Sequence, residues 1–279
     1  MAVNPSHLAL PHADNQLQFD PSVAHPARIY DYWLGGKDHF AADRNAAEEV
    51  ARLRPQVVAG ARANRAFLAQ AVWFLAADCG IRQFLDIGTG LPSADNVHEV
   101  AQAEAPECRV VYVDNDPVVL AYARALLPSA PGGACDYVQA DLRDPGAILA
   151  QASRTLDFTQ PVGLLLLAVV HFLTDGDYPA GIVAALAGEL APGSYVALSH
   201  LTADFGPEQV TAAAQAYSAL APVPVIPRTH AQVTGLLGGL PLVPPGVVRV
   251  SEWRPAHTGE FTQPADLYAG LATIPRDRR

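Results

Sequence analysis

The sequence of 279 residues predicts an α/β fold: a doubly wound parallel sheet preceded by a helical segment. Three observations predict it. From residue 83 onward, short apolar runs of strand length alternate with helix-length stretches, the pattern of βαβ units. The first run, Phe84-Leu85-Asp86-Ile87, passes directly into Gly88-Thr89-Gly90, the glycine turn expected at the carboxyl end of a parallel strand. The second, Val110-Val111-Tyr112-Val113, ends on Asp114, where this architecture presents an acid to a ligand.

Taken in order, residues 1–20 read as a flexible lead-in. Residues 21–80 read as mostly helical, interrupted at Gly35-Gly36 and Pro55, and residues 66–75 are apolar enough for a largely buried helix. Strands are expected over 83–87, 109–113, 136–139, 162–168 and 195–199. Ser93 and Asp95 precede a helix from Asn96 onward. Further helices are expected over 118–127 and 180–190. Thr229 and Gln232 form a capping box for a helix reaching Leu237. Pro222, Pro224 and Pro227 mark a loop. A strand over 247–253 follows, with 266–273 as its antiparallel partner.

Composition narrows the function classes. Half the residues are hydrophobic and 16% are charged, ample for a large core. A formal charge of −10 argues against a general nucleic-acid binder, whose footprint is basic, while leaving room for a local basic pocket. Cys79, Cys108 and Cys135 are widely spaced and read as reduced thiols of a cytoplasmic protein, not as a disulfide framework or a metal site. No secretory leader is evident, and the longest apolar run, 164–170, is too short to span a bilayer.

Asp86 points to the ligand. A pyrophosphate cofactor wants helix-terminal N–H groups and no nearby anion, so a carboxylate two residues before the first glycine repels it. S-adenosylmethionine has no phosphate and carries an ammonium and a sulfonium, which the same carboxylate favours. Ser93 also stands where the third glycine of a dinucleotide fingerprint belongs. Asp114, followed by Asn115, is expected on the ribose, because two acceptor oxygens match a vicinal diol; its spacing from Gly88 does not by itself separate the two cofactors. Asp116 and Pro117 read as a helix start. Asp141-Leu142, past the third strand, is expected at the adenine, the alternative being an ordinary loop acid. The fourth run brings Ala168 to Phe172 out at the ligand crevice. There His171 is a candidate general base near neutral pH, or else a structural or substrate contact, and Phe172 packs on the cofactor.

In that order, Asp86-Ile87-Gly88-Thr89-Gly90, Asp114, Asp141 and the strand before His171 resemble the class I S-adenosylmethionine-dependent methyltransferases from residue 83 to the end. More narrowly, His25-Pro26-Ala27-Arg28-Ile29-Tyr30-Asp31-Tyr32-Trp33-Leu34-Gly35-Gly36-Lys37-Asp38-His39-Phe40 resembles a bacterial family known only as S-adenosyl methyltransferase, formerly a domain of unknown function. Asn64-Arg65-Ala66-Phe67-Leu68, the stretches 84–92 and 113–117, and Trp253-Arg254-Pro255 extend that resemblance over nearly the whole chain. The broader class has a third glycine where this chain has Pro92. The resemblance implies a Rossmann-like seven-stranded sheet with its last strand antiparallel. It also implies a cofactor lying over the ends of the first, second and fourth strands; the loop 86–90 is then expected on its methionine portion. It names no acceptor.

The N-terminal segment crowds Arg28, Tyr30, Tyr32, Trp33 and Lys37 around Gly35-Gly36. As a lid over residues 81–279 it supplies aromatic faces for a sulfonium. Arg28, Lys37 or Arg65 could hold a carboxylate of the cofactor or acceptor. As plain structure it is a helical hairpin whose aromatics pack on the sheet. The expected function is methyl transfer from S-adenosylmethionine to a small molecule, with no nucleic-acid or membrane partner. The alternatives are a non-catalytic S-adenosylmethionine sensor and an NAD(P)-dependent oxidoreductase.

Overall fold

The computed structural model describes residues 20–126, 131–254 and 265–276; residues 1–19 of the expected lead-in, Leu127 and Pro255 lie outside them. Strands β1 (Gln83–Ile87), β2 (Arg109–Asp114), β3 (Ala134–Gln139), β4 (Gly163–Leu167) and β5 (Tyr195–Leu201) are mutually parallel. They are joined by β6 (Val248–Arg249) and β7 (Leu267–Thr273) in one seven-stranded sheet of order β3-β2-β1-β4-β5-β7-β6. β7 runs antiparallel to both of its neighbours. The order reverses between β1 and β4, and that switch point opens a crevice at the carboxyl ends of the strands.

The apolar runs of the sequence are continuous because both sheet faces are covered. Leu85, Ile87, Val111, Val113, Leu164 and Leu166 point to one face. It is packed by α6 (Pro145–Ala152), α7 (Pro179–Gly188) and α9 (His230–Leu236). Phe84, Val110, Tyr112, Leu165 and Leu167 point to the other, against α3 (Gln56–Trp73) and α4 (Val97–Glu104). Local chemistry sets the helix starts: Asn96 caps α4 with Glu99 reaching back to its N–H, and Thr229 caps α9 with Gln232. Asp116 Oδ1 accepts from Val118 N–H at 2.8 Å to start α5 (Pro117–Leu126).

The strand expected over 247–253 is mostly something else. Only Val248 and Arg249 pair with β7; Val250–Glu252 then form a 3₁₀ turn. The turn drops Trp253 onto Phe67, ring centroids 5.1 Å apart in an edge-on arrangement, and burial of that large ring outweighs continued pairing on an edge strand.

Before the sheet come α1 (Pro26–Leu34) and α2 (Ala41–Leu53). Gly35, at φ 81°, ends α1 in the left-handed conformation. These two helices share a small core with α8 (Pro207–Leu220), the helix after β5: Ile29, Ala46, Ala47 and Val50 meet Ala213 and Tyr217. The roof over the crevice is therefore assembled from two distant parts of the chain. Among the described residues, no helix is long and apolar enough to cross a membrane.

Candidate active site

A cavity of about 260 Å³ lies at the switch point beneath α1, α2, α3 and α8. Asp86, Gly88, Thr89, Gly90, Asp114, Asn115, Asp141, Leu142 and Ala168 all line it, as do Tyr30, Trp33, Arg65, His171 and Phe172. Arg28, Tyr32 and Lys37 do not. Arg28 is buried in ion pairs with Asp43 and Asp116, at 2.9 and 3.1 Å. Tyr32 donates its hydroxyl to Glu48, and Lys37 is exposed.

The glycine loop is held by its own acids. Gly88 N–H and Thr89 N–H both donate to Val113 O, at 2.8 and 3.2 Å. Gly90 N–H and Asp116 N–H donate to the two oxygens of Asp114, each at 3.0 Å. A carboxylate offers about four lone-pair sites, so Asp114 keeps acceptor capacity toward the cavity while its orientation is locked from behind. Burial pushes its carboxyl above the usual range, against the pull of those two backbone donors. Thr89 Oγ1 donates to Asp86 Oδ2 at 2.7 Å. Burial dominates here too, raising the Asp86 carboxyl to about 6 despite Thr89 and the nearby Arg65.

Gly88 and Gly90 have different reasons to be glycine. Both take positive φ, 76° and 68°. A Cβ on Gly90 would meet nothing within 4 Å, whereas one on Gly88 would sit 2.5 Å from Val169 Cγ2. Gly88→Ala should therefore lower the unfolding free energy by about 2 kcal/mol, combining left-handed strain with a clash. Denaturant melts will show it, and Val169→Ala in the same chain should recover the clash part alone. Additive losses in the double variant would refute the contact.

Past β4 the backbone is strained again: Ala168 has φ 53°, rare for a side chain other than glycine. A directed chain of hydrogen bonds holds it. Ala168 N–H donates to Ser199 Oγ at 2.9 Å, and Ser199 Oγ donates to Asn64 Oδ1 at 2.6 Å. Asn64 Nδ2 donates to Tyr30 Oη at 3.0 Å, and Tyr30 Oη donates to Ala61 O at 2.9 Å. The chain ties α1 and α3 to β4 and β5, so the two strings around Tyr30 and Asn64 meet in space.

The far half of the cavity was not legible in the sequence. Its apolar walls are Val50, Val57, Val210, Ala213 and Tyr217. Arg54 and Asp266 close it with a paired contact, Nε to Oδ2 at 2.7 Å and Nη2 to Oδ1 at 2.8 Å. Pro207 and Glu208 were the available signal for α8, a proline and an acid in the first turn. Nothing local linked Arg54 to Asp266.

The residues present suit a phosphate-free cationic cofactor. Two buried acids flank the glycine loop, the space in front of Gly90 is open, and Arg65 Nε is buried without a partner. Arg65 Nη2 is spent on Ala94 O and Asp95 O, at 2.8 and 2.9 Å, which aims the guanidinium.

A family model described as S-adenosyl methyltransferase matches residues 12–275. A crystal structure of a DUF574 family protein from Streptomyces avermitilis is similar at 46% identity and TM-score 0.89, over 92% of this chain and 99% of that one. A candidate methyltransferase from Thermobifida fusca is similar at 37% identity and TM-score 0.84, over 95% and 100% of the two chains. The mitomycin 7-O-methyltransferase MmcR shares the fold alone, at 16% identity and TM-score 0.51, over 92% of this chain and 74% of that one. No curated protein matches the chain. With its seven-stranded sheet, its glycine loop and nearly its whole length accounted for, this chain belongs to the S-adenosyl methyltransferase family, whose cofactor is S-adenosylmethionine.

Proposed function

We propose that this enzyme methylates a small molecule held in the apolar half of the cavity, in a cytoplasmic setting. One observation carries the reading: a single cavity runs from Asp86, Asp114 and Asp141 to the chamber walled by Val50, Val57, Val210 and Tyr217. A cofactor at one end and an acceptor at the other would share one continuous space.

In this reading the loop 86–90 takes the methionine portion, Asp114 and Asn115 the ribose, and Asp141 with Leu142 the adenine. Ala168 borders the reacting end. Arg65 Nε takes the methionine carboxylate. When bound, the cofactor supplies an electrophilic methyl group on sulfur. The chain's own work is to align the acceptor, exclude water and hold the loop in its strained shape, and positioning alone can account for much of a methyl-transfer barrier.

Calorimetric titration with S-adenosylmethionine, S-adenosylhomocysteine and NADH across pH tests this. Both sulfur ligands should bind and NADH should not. The sign of the pH effect follows from Asp86. Its carboxyl is raised to about 6 in the free protein, and a cationic ligand prefers the ionised form. Affinity should be flat above pH 6 and fall up to about tenfold per unit below it, with Asp114 acting in the same direction. Affinity independent of pH between 4.5 and 7, or preference for NADH, would remove these carboxylates from the cofactor site.

A further inference from the structure

The acceptor end holds a histidine whose proton is placed by its neighbours. His171 lies in the turn Val170–Phe172 after β4 and lines the cavity. Leu201 N–H, at the end of β5, points to its Nδ1 at 3.4 Å. A ring nitrogen that faces a donor must present its lone pair, so the neutral ring carries its proton on Nε2. Phe172 packs on the ring with centroids 4.4 Å apart, and the titratable groups that act on it are basic. The His200 ring stands 5.6 Å away; its Nδ1–H donates to Leu201 O at 2.7 Å, and its Nε2 accepts from Arg228 Nη1 at 3.0 Å.

Arg228 is fixed in place. Its Nη2 donates to Leu173 O at 2.9 Å and to Asp175 Oδ1 at 2.8 Å. Its side chain is 4% exposed, while that of Asp175 is 82% exposed. The cation is thus felt inside the fold, and its counter-ion is largely screened by solvent. Burial first, then His200 and Arg228, hold His171 well below the ordinary histidine range, and no carboxylate opposes them. A second proton on this ring is disfavoured, which makes it a poor general base and leaves it a neutral donor. Tyr217, whose hydroxyl is kept protonated by burial, walls the same chamber.

We infer that the acceptor is an acidic hydroxyl compound on an apolar skeleton, a phenol or enol, bound as its oxyanion with His171 Nε2–H donating to the oxygen. This rests on the methyl-transfer reading above. The hydroxyl proton leaves to solvent on binding. The oxygen lone pair then forms the new carbon–oxygen bond as the methyl carbon–sulfur bond breaks, and that electron pair remains on sulfur. An ammonium acceptor is rejected twice, by the field of Arg228 and by a donor facing its own N–H groups.

The test uses para-nitrophenol, whose ionisation is visible by absorbance, and para-nitroaniline as its neutral amine counterpart, each added to the full chain saturated with S-adenosylhomocysteine. Bound para-nitrophenol should ionise about one pH unit lower than free, a tenfold preference for the phenolate, and para-nitroaniline should bind at least about tenfold more weakly. His171→Phe should abolish the shift. His171→Gln, which keeps an N–H donor, should restore part of it. S-adenosylhomocysteine binding is measured first on every variant. Failure of the unmodified protein to bind it would sink the methyl-transfer reading. Intact binding with no phenolate preference, with no binding of either probe, with a shift that survives in His171→Phe, or with para-nitroaniline favoured would overturn the oxyanion assignment alone.

Discussion

Arg28→Met should lower the unfolding free energy by about 3–5 kcal/mol, the usual cost of stranding a buried charge. Arg28 reaches three partners at once: Nε to Asp43 Oδ2 at 2.9 Å, Nη1 to Asp116 Oδ2 at 3.1 Å and Nη2 to Val23 O at 2.8 Å. Arg28, Asp43 and Asp116 are all nearly inaccessible. Asp43 retains the N–H groups of His25 and Phe40, each at 2.8 Å, so the loss falls hardest on Asp116 Oδ2, left with His25 Nδ1 at 3.1 Å. Such a buried pair need not add net stability over an apolar replacement of all its members, but removing one member leaves the others without compensation. Arg28→Lys keeps the charge without the three-way reach and should fall between. Guanidinium melts decide the matter, and a loss below about 1 kcal/mol would show that the two acids find other partners. The effect should extend to the site, because Asp116 N–H is one of the two donors that orient Asp114.

Asp114→Ala should weaken S-adenosylmethionine binding by more than about a hundredfold, near 3 kcal/mol, at pH 7.5. The substitution removes the proposed ribose acceptors, and it also frees the N–H of Gly90 from the group that holds the loop's second glycine in place. Hydrogen bonds to a charged group contribute about 1.5–3 kcal/mol each, so even partial rearrangement leaves a large deficit. Asp114→Asn retains the volume and one acceptor but turns an N–H₂ toward one of the two backbone donors, so it should recover little. Unfolding melts of the cofactor-free variants separate loop damage from ligand contact. An affinity within threefold of the unmodified protein would place the ribose elsewhere.

Short-range chemistry accounts for what could be read from the residues. A strand that must be buried on both faces is apolar throughout. A tight turn at positive φ needs glycine at 88 and 90, and a helix start shows its cap within three residues. For that reason the five parallel strands, the glycine turn, the cap at Asp116 and the break at Gly35 were visible without coordinates. The antiparallel strand over 266–273 was legible too, and the resemblance carried by the strings around Tyr30, Asn64 and Asp86 placed it last in a seven-stranded sheet. Strand propensity over 247–253 misled, because the burial of Trp253 on α3 is a tertiary gain that no local pattern records.

The tertiary structure alone decided which charged side chains are free and which are spent. Arg28 looked like a candidate anion holder, yet its partner Asp116 lies 88 positions away, and Arg54 meets Asp266 across 212 positions. His171 could have been a base, a substrate contact or a structural ring; burial first, then His200 and Arg228, hold it below the ordinary histidine range, and Leu201 N–H faces its Nδ1. Electrostatic partners act through space and carry no sequence period, whereas backbone geometry and hydrophobic alternation repeat along the chain. The sequence by itself therefore determined the sheet, the glycine turn and the kind of cofactor it suits. Only the folded chain brought α8 over the crevice beside α1 and α2, and with it the shape and polarity of the place where an acceptor would sit.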